Sequence, residues 1–336
     1  KEKALDPGTP GVLPAPAGGS PQNRLGLARW LFQPEHPLTP RVAVNRYWYM
    51  LFGTGIVKTI EEFGSQGDWP SNLQLLDWLA VDFRKSGWDV KRMLKQMIMS
   101  SAYRQNAQVS EALLKLDPEN RLLGRGPRFR LQAEFIRDTI LAASGILVTD
   151  IGGKGVKPYQ PPGLWNELSL GGNVRFVQDH GEKLYRRGMY TYWKRSAPAP
   201  SLTIFDTPTR EKCVLRRSRT NTPLQALVLL NDPQYIEAAR NLAQKVALEA
   251  GDSLAARIVL AYRLATAHRP SFKTLNILKA AYEEELAIFR KDPARAMKLL
   301  KVGESKRDET IDAAEHAALT IITSMILNLD ATVTKG

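Results

Sequence analysis

Arg210–Asp232 holds the side chains best able to do chemistry. Five cations, Arg210, Lys212, Arg216, Arg217 and Arg219, lie within ten residues and run into a helix start. Burying charge of one sign is costly unless counter-charges meet it. The stretch therefore either binds an anion or pairs with carboxylates from elsewhere in the fold. The excess extends upstream: residues 183–219 carry ten Lys/Arg against two acids, a net charge of +8 in 37 residues. Flat rings are interleaved with these cations. Arg187, Tyr190, Trp193, Lys194, Arg195, Arg217 and Arg219 form the candidate ligand-binding set. Cations mixed with rings suit sugars bearing sulfate or carboxylate, and also single-stranded nucleic acid. The competing reading is an internal cation–π and salt-bridge network.

The candidates for catalysis are weaker. Glu211 and Asp206 are the carboxylates nearest the cations, and a polysaccharide-acting hydrolase or lyase needs such a pair at a set separation. Spacing in the sequence does not fix that separation, and partnering buried arginine is the other role open to both. His180 lies in Asp179-His180-Gly181-Glu182, a small cluster within a loop. His36, His180, His268 and His316 stand in no recognised zinc pattern, so no metal site is expected. A nucleophile elbow and a Gly-rich phosphate loop are both absent. The single cysteine, Cys213, excludes an internal disulfide, a thiolate zinc cluster and a haem attachment site. Its Val/Leu context predicts a small buried residue.

These side chains need elements to hold them. Thr222 can cap a helix, Pro223 suits its first position, and Gln225 is placed to complete a capping box. Leu224, Leu227, Val228 and Leu230 make an apolar surface wide enough to predict a buried helix. Asn231-Asp232-Pro233 ends that helix and caps the next. Thr222, Pro223, Gln225, Asn231 and Asp232 are therefore structural residues. The stretch reads first as a hinge, with Arg217, Arg219 and Asn221 as internal tethers. Any site is expected on its lobe-facing side, beside Trp193 and Lys194.

Residues 1–22, with five prolines and four glycines, read as a linker or tail. Residues 23–146 read as helical, with starts at Thr39-Pro40, Ser71, Val90 and Asp117-Pro118, and a long helix from about Leu131 to Ile146. The Met93–Met97 stripe reads as core. Residues 147–220 are rich in Gly, Pro and aromatics, and Met189–Trp193 reads as a short strand with Arg175-Phe176-Val177 as partner. Residues 221–336 are again helical: Leu224–Leu230, Pro233–Glu249, Leu254–Thr266, Ser271–Lys291, Pro293–Leu300 and Thr310–Leu329. The fold class is mainly α, a multi-helix globular domain with an irregular Gly/Pro/aromatic-rich lobe containing a small β element. Residues 23–336 are expected to form one compact unit. The chain has 336 residues and a net charge of +13. It contains no apolar run of membrane-spanning length and no signal peptide, and its start at Lys1 looks like a cut from something longer.

Several ordered segments carry a resemblance. They include Asn23-Arg-Leu-Gly-Leu-Ala-Arg-Trp-Leu31, Arg41-Val-Ala-Val-Asn-Arg46, Leu75-Leu-Asp-Trp-Leu-Ala80 and Asp117-Pro-Glu-Asn-Arg-Leu-Leu123. Arg187-Gly-Met-Tyr-Thr-Tyr-Trp-Lys-Arg195, Phe205-Asp206, Pro208, Arg210-Glu211, Arg217-Ser-Arg-Thr-Asn-Thr-Pro-Leu-Gln-Ala-Leu227 and Leu230-Asn-Asp-Pro233 complete the set. From about Asn23 to the C-terminus the chain resembles the planctomycete cytochrome-associated domain of unknown function, the C-terminal module of large secreted proteins. The resemblance implies an extracytoplasmic location, periplasmic or secreted. It also implies a cytochrome-c-like domain upstream and a secreted phosphatase- or sulfatase-like neighbour as partners. Haem is expected only in those upstream domains, with no cofactor in this chain. The resemblance carries no reaction. One departure lies at Ala267-His268-Arg269-Pro270, where relatives tend to have Gly-Arg-Pro-Pro.

The leading expectation is a non-catalytic binding or structural module taking an anionic polysaccharide or a partner protein. The alternative is a hydrolase or lyase using Glu211 and Asp206 with arginines. Nucleic-acid binding rests on charge alone and conflicts with export.

Overall fold

The computed structural model describes residues 8–167 and 175–336. Pro7 and Gly171-Gly172, read above as parts of the tail and the irregular lobe, lie outside the described residues. The sequence groups 23–336 as one body; the structure divides the chain into two compact units. One runs to Phe129 and includes Gly336; the other is Arg130–Lys335. The fold is mainly α.

In the first unit, α1 (Arg24–Leu31), α2 (Thr39–Phe52), α3 (Leu73–Lys85) and α4 (Val90–Met99) carry the regular structure, followed by the short α5 (Ser101–Arg104) and α6 (Glu111–Leu116). Val44, Trp48, Phe52, Leu76, Leu79, Phe83, Met93 and Met97 form the core, so the methionine stripe is core as expected. Gly53 ends α2 at φ 81°, a left-handed conformation that glycine adopts without strain. Buried Asn45 replaces a strand partner for one turn. Its side chain donates to Val57 O and accepts from Val57 N, both at 2.9 Å.

Three sequence readings change here. Asn72, not Ser71, caps α3. Ser100 interrupts the fourth helix, because its extended backbone caps α5. Asp117-Pro118 does not start a helix: Asp117 closes α6, and its carboxylate accepts from Arg121 N and Leu122 N in a turn. The tail also makes a specific contact, since the Trp30 indole donates to Pro14 O at 2.7 Å.

The strand β1 (Phe129–Arg130) pairs with β2 (Thr334–Lys335), and the first helix of the second unit is α7 (Ala133–Ala143). Among its described residues the irregular stretch holds the short α8 (Leu164–Glu167) and α9 (Pro200–Ile204) and two 3-10 turns, Gly181–Tyr185 and Gly188–Tyr190. Then follow α10 (Pro223–Asn231), α11 (Pro233–Glu249), α12 (Leu254–Thr266), α13 (Phe272–Lys291), α14 (Pro293–Leu300), α15 (Ala313–Leu327) and the short α16 (Asp330–Val333). The α11, α12 and α14 boundaries coincide with the sequence reading. Each is set by a capping Asp or Ser, with proline at the first position of α11 and α14.

Helices α11 and α15 cross at the centre of the unit. Ala238, Ala239, Leu242 and Ala243 face Ala317, Ala318, Leu319 and Ile322 in one buried cluster. Small side chains let the two backbones approach, and Thr323 Oγ1 donates to Ala239 O at 2.8 Å. Helix α12 ends on Ala267 at φ 61°. The departure from Gly at this position therefore places a Cβ in a conformation that costs about 1 kcal/mol outside glycine.

Among the described residues, the strand expected at Met189–Trp193 does not form with Arg175-Phe176-Val177 as partner. Among the described residues of that stretch, Gly188–Tyr190 is a 3-10 turn, and only two isolated parallel bridges occur, Val148 with Arg186 and Val156 with Thr191. The alternating rings of Met189–Trp193 pack on other side chains instead of joining a ladder. A stretch without a ladder must satisfy its carbonyls otherwise. Buried Arg137 of α7 does so, donating to Leu184 O at 2.6 Å and to Arg186 O, while its Nε donates to Gln234 Oε1 at 2.7 Å.

Candidate functional site

The candidate residues separate into two groups, and the separation follows from where acids lie. The cations of the Arg217–Arg219 motif turn inward. Arg217 donates to Glu134 Oε2 of α7 at 2.7 Å, both side chains being mostly buried. Arg219 is half-buried and close enough to Arg130 for the two charges to oppose each other. Asp206 meets this pressure. It pairs with Arg130 and also accepts from Thr220 N at 2.8 Å and Thr220 Oγ1 at 2.9 Å. The motif is thus tied down at both ends, as the hinge reading expects for Arg217.

The start of α10 completes the hinge. The capping box forms, with Thr222 N donating to Gln225 Oε1 at 3.4 Å. Buried Gln225 also donates to Ile204 O at 2.9 Å and to Thr220 Oγ1 at 3.0 Å, fastening the loop to α9. Asn231 donates to Leu227 O at 2.8 Å. Asp232 accepts from Gln234 N at 2.9 Å as the cap of α11, and burial raises its pKa above the usual carboxylate range.

The expectation that α10 is buried fails. Only Gln225 and Leu229 are buried, while Leu224, Leu227 and Leu230 are exposed. Composition measured the helix's apolarity but could not reveal how many sides would find a neighbour. Cys213 is likewise exposed and not the small buried residue its Val/Leu context predicts, because the loop carrying it stays on the surface.

The second group faces outward on aromatic supports. Lys194 Nζ lies 4.5 Å from the centre of the Trp165 ring. Lys157 Nζ lies 5.6 Å from the same ring and 5.3 Å from that of Tyr192. Phe176 and Tyr192 pack against Trp165 at centroid distances of 5.2 and 5.9 Å. The Arg210 guanidinium stacks on Trp193 at 4.6 Å, and the Trp193 indole donates to Thr209 O at 3.1 Å. Arg195 is exposed, and neither it nor Lys194 nor Arg210 has a carboxylate partner among the described residues.

Lys157 and Trp165 were not in the candidate set. They lie in a distant Gly/Pro stretch, and only the fold brings them to Lys194. The density of rings in that stretch was the one signal available.

Three of the remaining candidates, Tyr190, Arg187 and His180, lie against other groups of the protein. Tyr190 lies under the Arg186 guanidinium at 4.0 Å and accepts from Gly152 N at 2.7 Å. Arg187 is half-buried near Asp138, a carboxylate whose pKa burial raises despite that neighbouring charge. Asp138 also accepts from Gly188 N at 2.6 Å. A Cβ on Gly188 would lie 3.0 Å from the Glu134 backbone, so a larger residue would force α7 to give by a few tenths of an ångström. His180 contacts Glu304 at 2.7 Å through Nδ1, and that carboxylate also accepts from Gln178 and Gly181. Glu211 is exposed and unpaired among the described residues. Among the described residues no group of three His, Cys, Asp or Glu is arranged to hold a metal ion, and no helix is long and apolar enough to cross a membrane.

No curated protein and no solved structure matches the chain. A family match covers residues 23–282. It begins where the resemblance begins, at Asn23, but stops inside α13, short of the C-terminus. Because it spans most of the sequence, the chain belongs to the family described as PSD1: Protein of unknown function (DUF1553).

Proposed function

We propose that this chain is a non-catalytic binding module of an exported, cytochrome-linked protein of planctomycete type, and that its lobe takes an acidic polysaccharide. One observation carries the reading. Lys194, Arg195 and Arg210 offer charges that no described carboxylate neutralises, two of them set on indole rings. A ring beneath a cation restricts its side chain before the ligand arrives, which lowers the ordering cost of binding. The rings can also accept the apolar face of a sugar. Export, the upstream cytochrome-c-like domain and the phosphatase- or sulfatase-like neighbour rest on the resemblance.

The hydrolase or lyase reading is less well supported. Asp206 is already engaged by Arg130 and Thr220, which leaves exposed Glu211 without a second carboxylate to work with. The test is a glycan array probed with wild type and with the Arg195→Ala/Arg210→Ala double variant. Wild type is expected to bind sulfated or uronate-bearing glycans and not neutral ones, and the double variant to bind about tenfold or more weakly, a loss of about 1.4 kcal/mol. Absence of binding to every acidic glycan overturns the proposal, as does tighter binding to single-stranded DNA.

A further inference from the structure

We infer that the outer side of α10, with the cleft beside it, docks an acidic amphipathic helix of a partner protein. Leu224, Leu227 and Leu230 are 52%, 54% and 39% exposed. Their i, i+3, i+6 spacing places them along one stripe of the helix. Leu242 of α11 and Leu319 of α15 are fully buried, whereas the only other leucine of α11, Leu248 at its C-terminal end, stands singly exposed at 56%. Leu227 of the stripe also lines an open cleft of about 600 Å³, whose apolar wall is Pro161, Pro162, Ile204, Val228 and Pro233 and whose polar edge includes Gln178 and Asp232. Contiguous apolar surface of this kind marks an interaction site on a soluble protein.

Size and charge select the occupant. Three half-exposed leucines and one cleft offer a few hundred Å², short of the roughly 800 Å² per partner of a stable dimer. A single helix laid in a groove needs no more than that, and it anchors through apolar side chains three or four residues apart. The loop feeding α10, Arg210–Arg219, carries five cations and one acid. Glu134 takes up Arg217, while Arg210 and Lys212 have no carboxylate partner among the described residues. A helix flanked by Glu or Asp is therefore attracted and a basic one repelled.

Exposed Cys213 lies in the same loop and provides a position for a fluorophore. The labelled protein is titrated with three synthetic helical peptides that share one leucine stripe and carry Glu, Gln or Lys on their flanks. The Glu peptide is expected to bind tightest and the Lys peptide about tenfold or more weakly. Leu227→Glu should weaken the Glu peptide by a similar factor with an unchanged circular dichroism spectrum, and Leu224→Gln should weaken it less. Arg195→Ala, which tests the glycan reading, should leave peptide binding unchanged. Equal binding of the Glu and Lys peptides, or indifference to Leu227→Glu, overturns the inference. So does sedimentation showing a dimer of this chain that Leu227→Glu dissociates, because a second copy would then cover the stripe.

Discussion

Arg195 and Arg217 are indistinguishable by residue type, and their parts in the fold differ. Arg217 meets Glu134, 83 positions earlier in the chain, whereas Arg195 meets no described acid. Sequence spacing carries no information about such a long-range partner, which is why the tether and site readings of the arginines both stood open. The same gap explains His316. In the sequence it is a lone histidine on an apolar helix. In the structure it is fully buried in α15, its Nε2 donating to Arg240 O at 3.1 Å. Burial depresses its pKa to about 4. The folded protein therefore keeps this imidazole neutral, while the unfolded chain binds a proton below its ordinary value near 6.5. The stabilisation it represents is complete above about pH 6.5 and is lost as pH falls toward 4, reaching about 3 kcal/mol. Asp138 and Asp232, whose pKa values burial raises, act in the opposite direction. The comparison must therefore be between variants. Urea unfolding of His316→Gln is expected to lose less stability than wild type between about pH 7 and pH 4.5. Parallel losses would contradict the assignment.

At the scale of elements, caps and periodicity made most helices legible. The Asp-Pro starts and the Ser cap placed α11, α12 and α14 to the residue. Two failures share a cause. Met189–Trp193 alternates as a strand does, but Trp193 stacks with Arg210 and Tyr192 packs on Trp165. The leucines of α10 predict burial, but only Leu229 finds the core. Pattern reports what a surface is made of, and only tertiary structure reports what covers it. The irregular stretch is held by buried side chains of regular helices, Arg137 and Glu134 of α7 and Glu237 of α11, the last accepting from Tyr185 Oη at 2.9 Å. Removing one such tether should loosen the stretch without touching the outward cations. Arg217→Ala is expected to destabilise by about 1–3 kcal/mol in denaturant unfolding, because it leaves Glu134 mostly buried and unpaired. Its affinity for acidic glycans should match wild type. An Arg217→Ala protein of unchanged stability and lost binding would reverse the roles assigned here.

At the scale of the whole molecule, each unit has its own buried cluster, one around Trp48, Phe83 and Met93 and the other around α11 and α15. Composition and length bounded the core but did not place the division at Phe129, although Gly124, Gly126 and Pro127 lie just before it. Separate cores predict separate responses to a cavity. Phe83→Ala, which removes a buried ring of the first core, should cost about 3–5 kcal/mol there. In calorimetry it should lower one transition and leave the other in place; a single transition shifting as a whole would contradict independent cores. The charge of +13 is concentrated where the second unit presents its rings, which ties the functional account to the lobe.

Titration of wild type and the Arg195→Ala/Arg210→Ala variant with a sulfated polysaccharide, at low and at high salt, tests that account most directly. The account predicts binding by wild type that weakens with salt, and affinity about tenfold or more lower in the variant, with a shallower salt dependence. Equal affinity of the two proteins at low salt, or no binding by either, would contradict it.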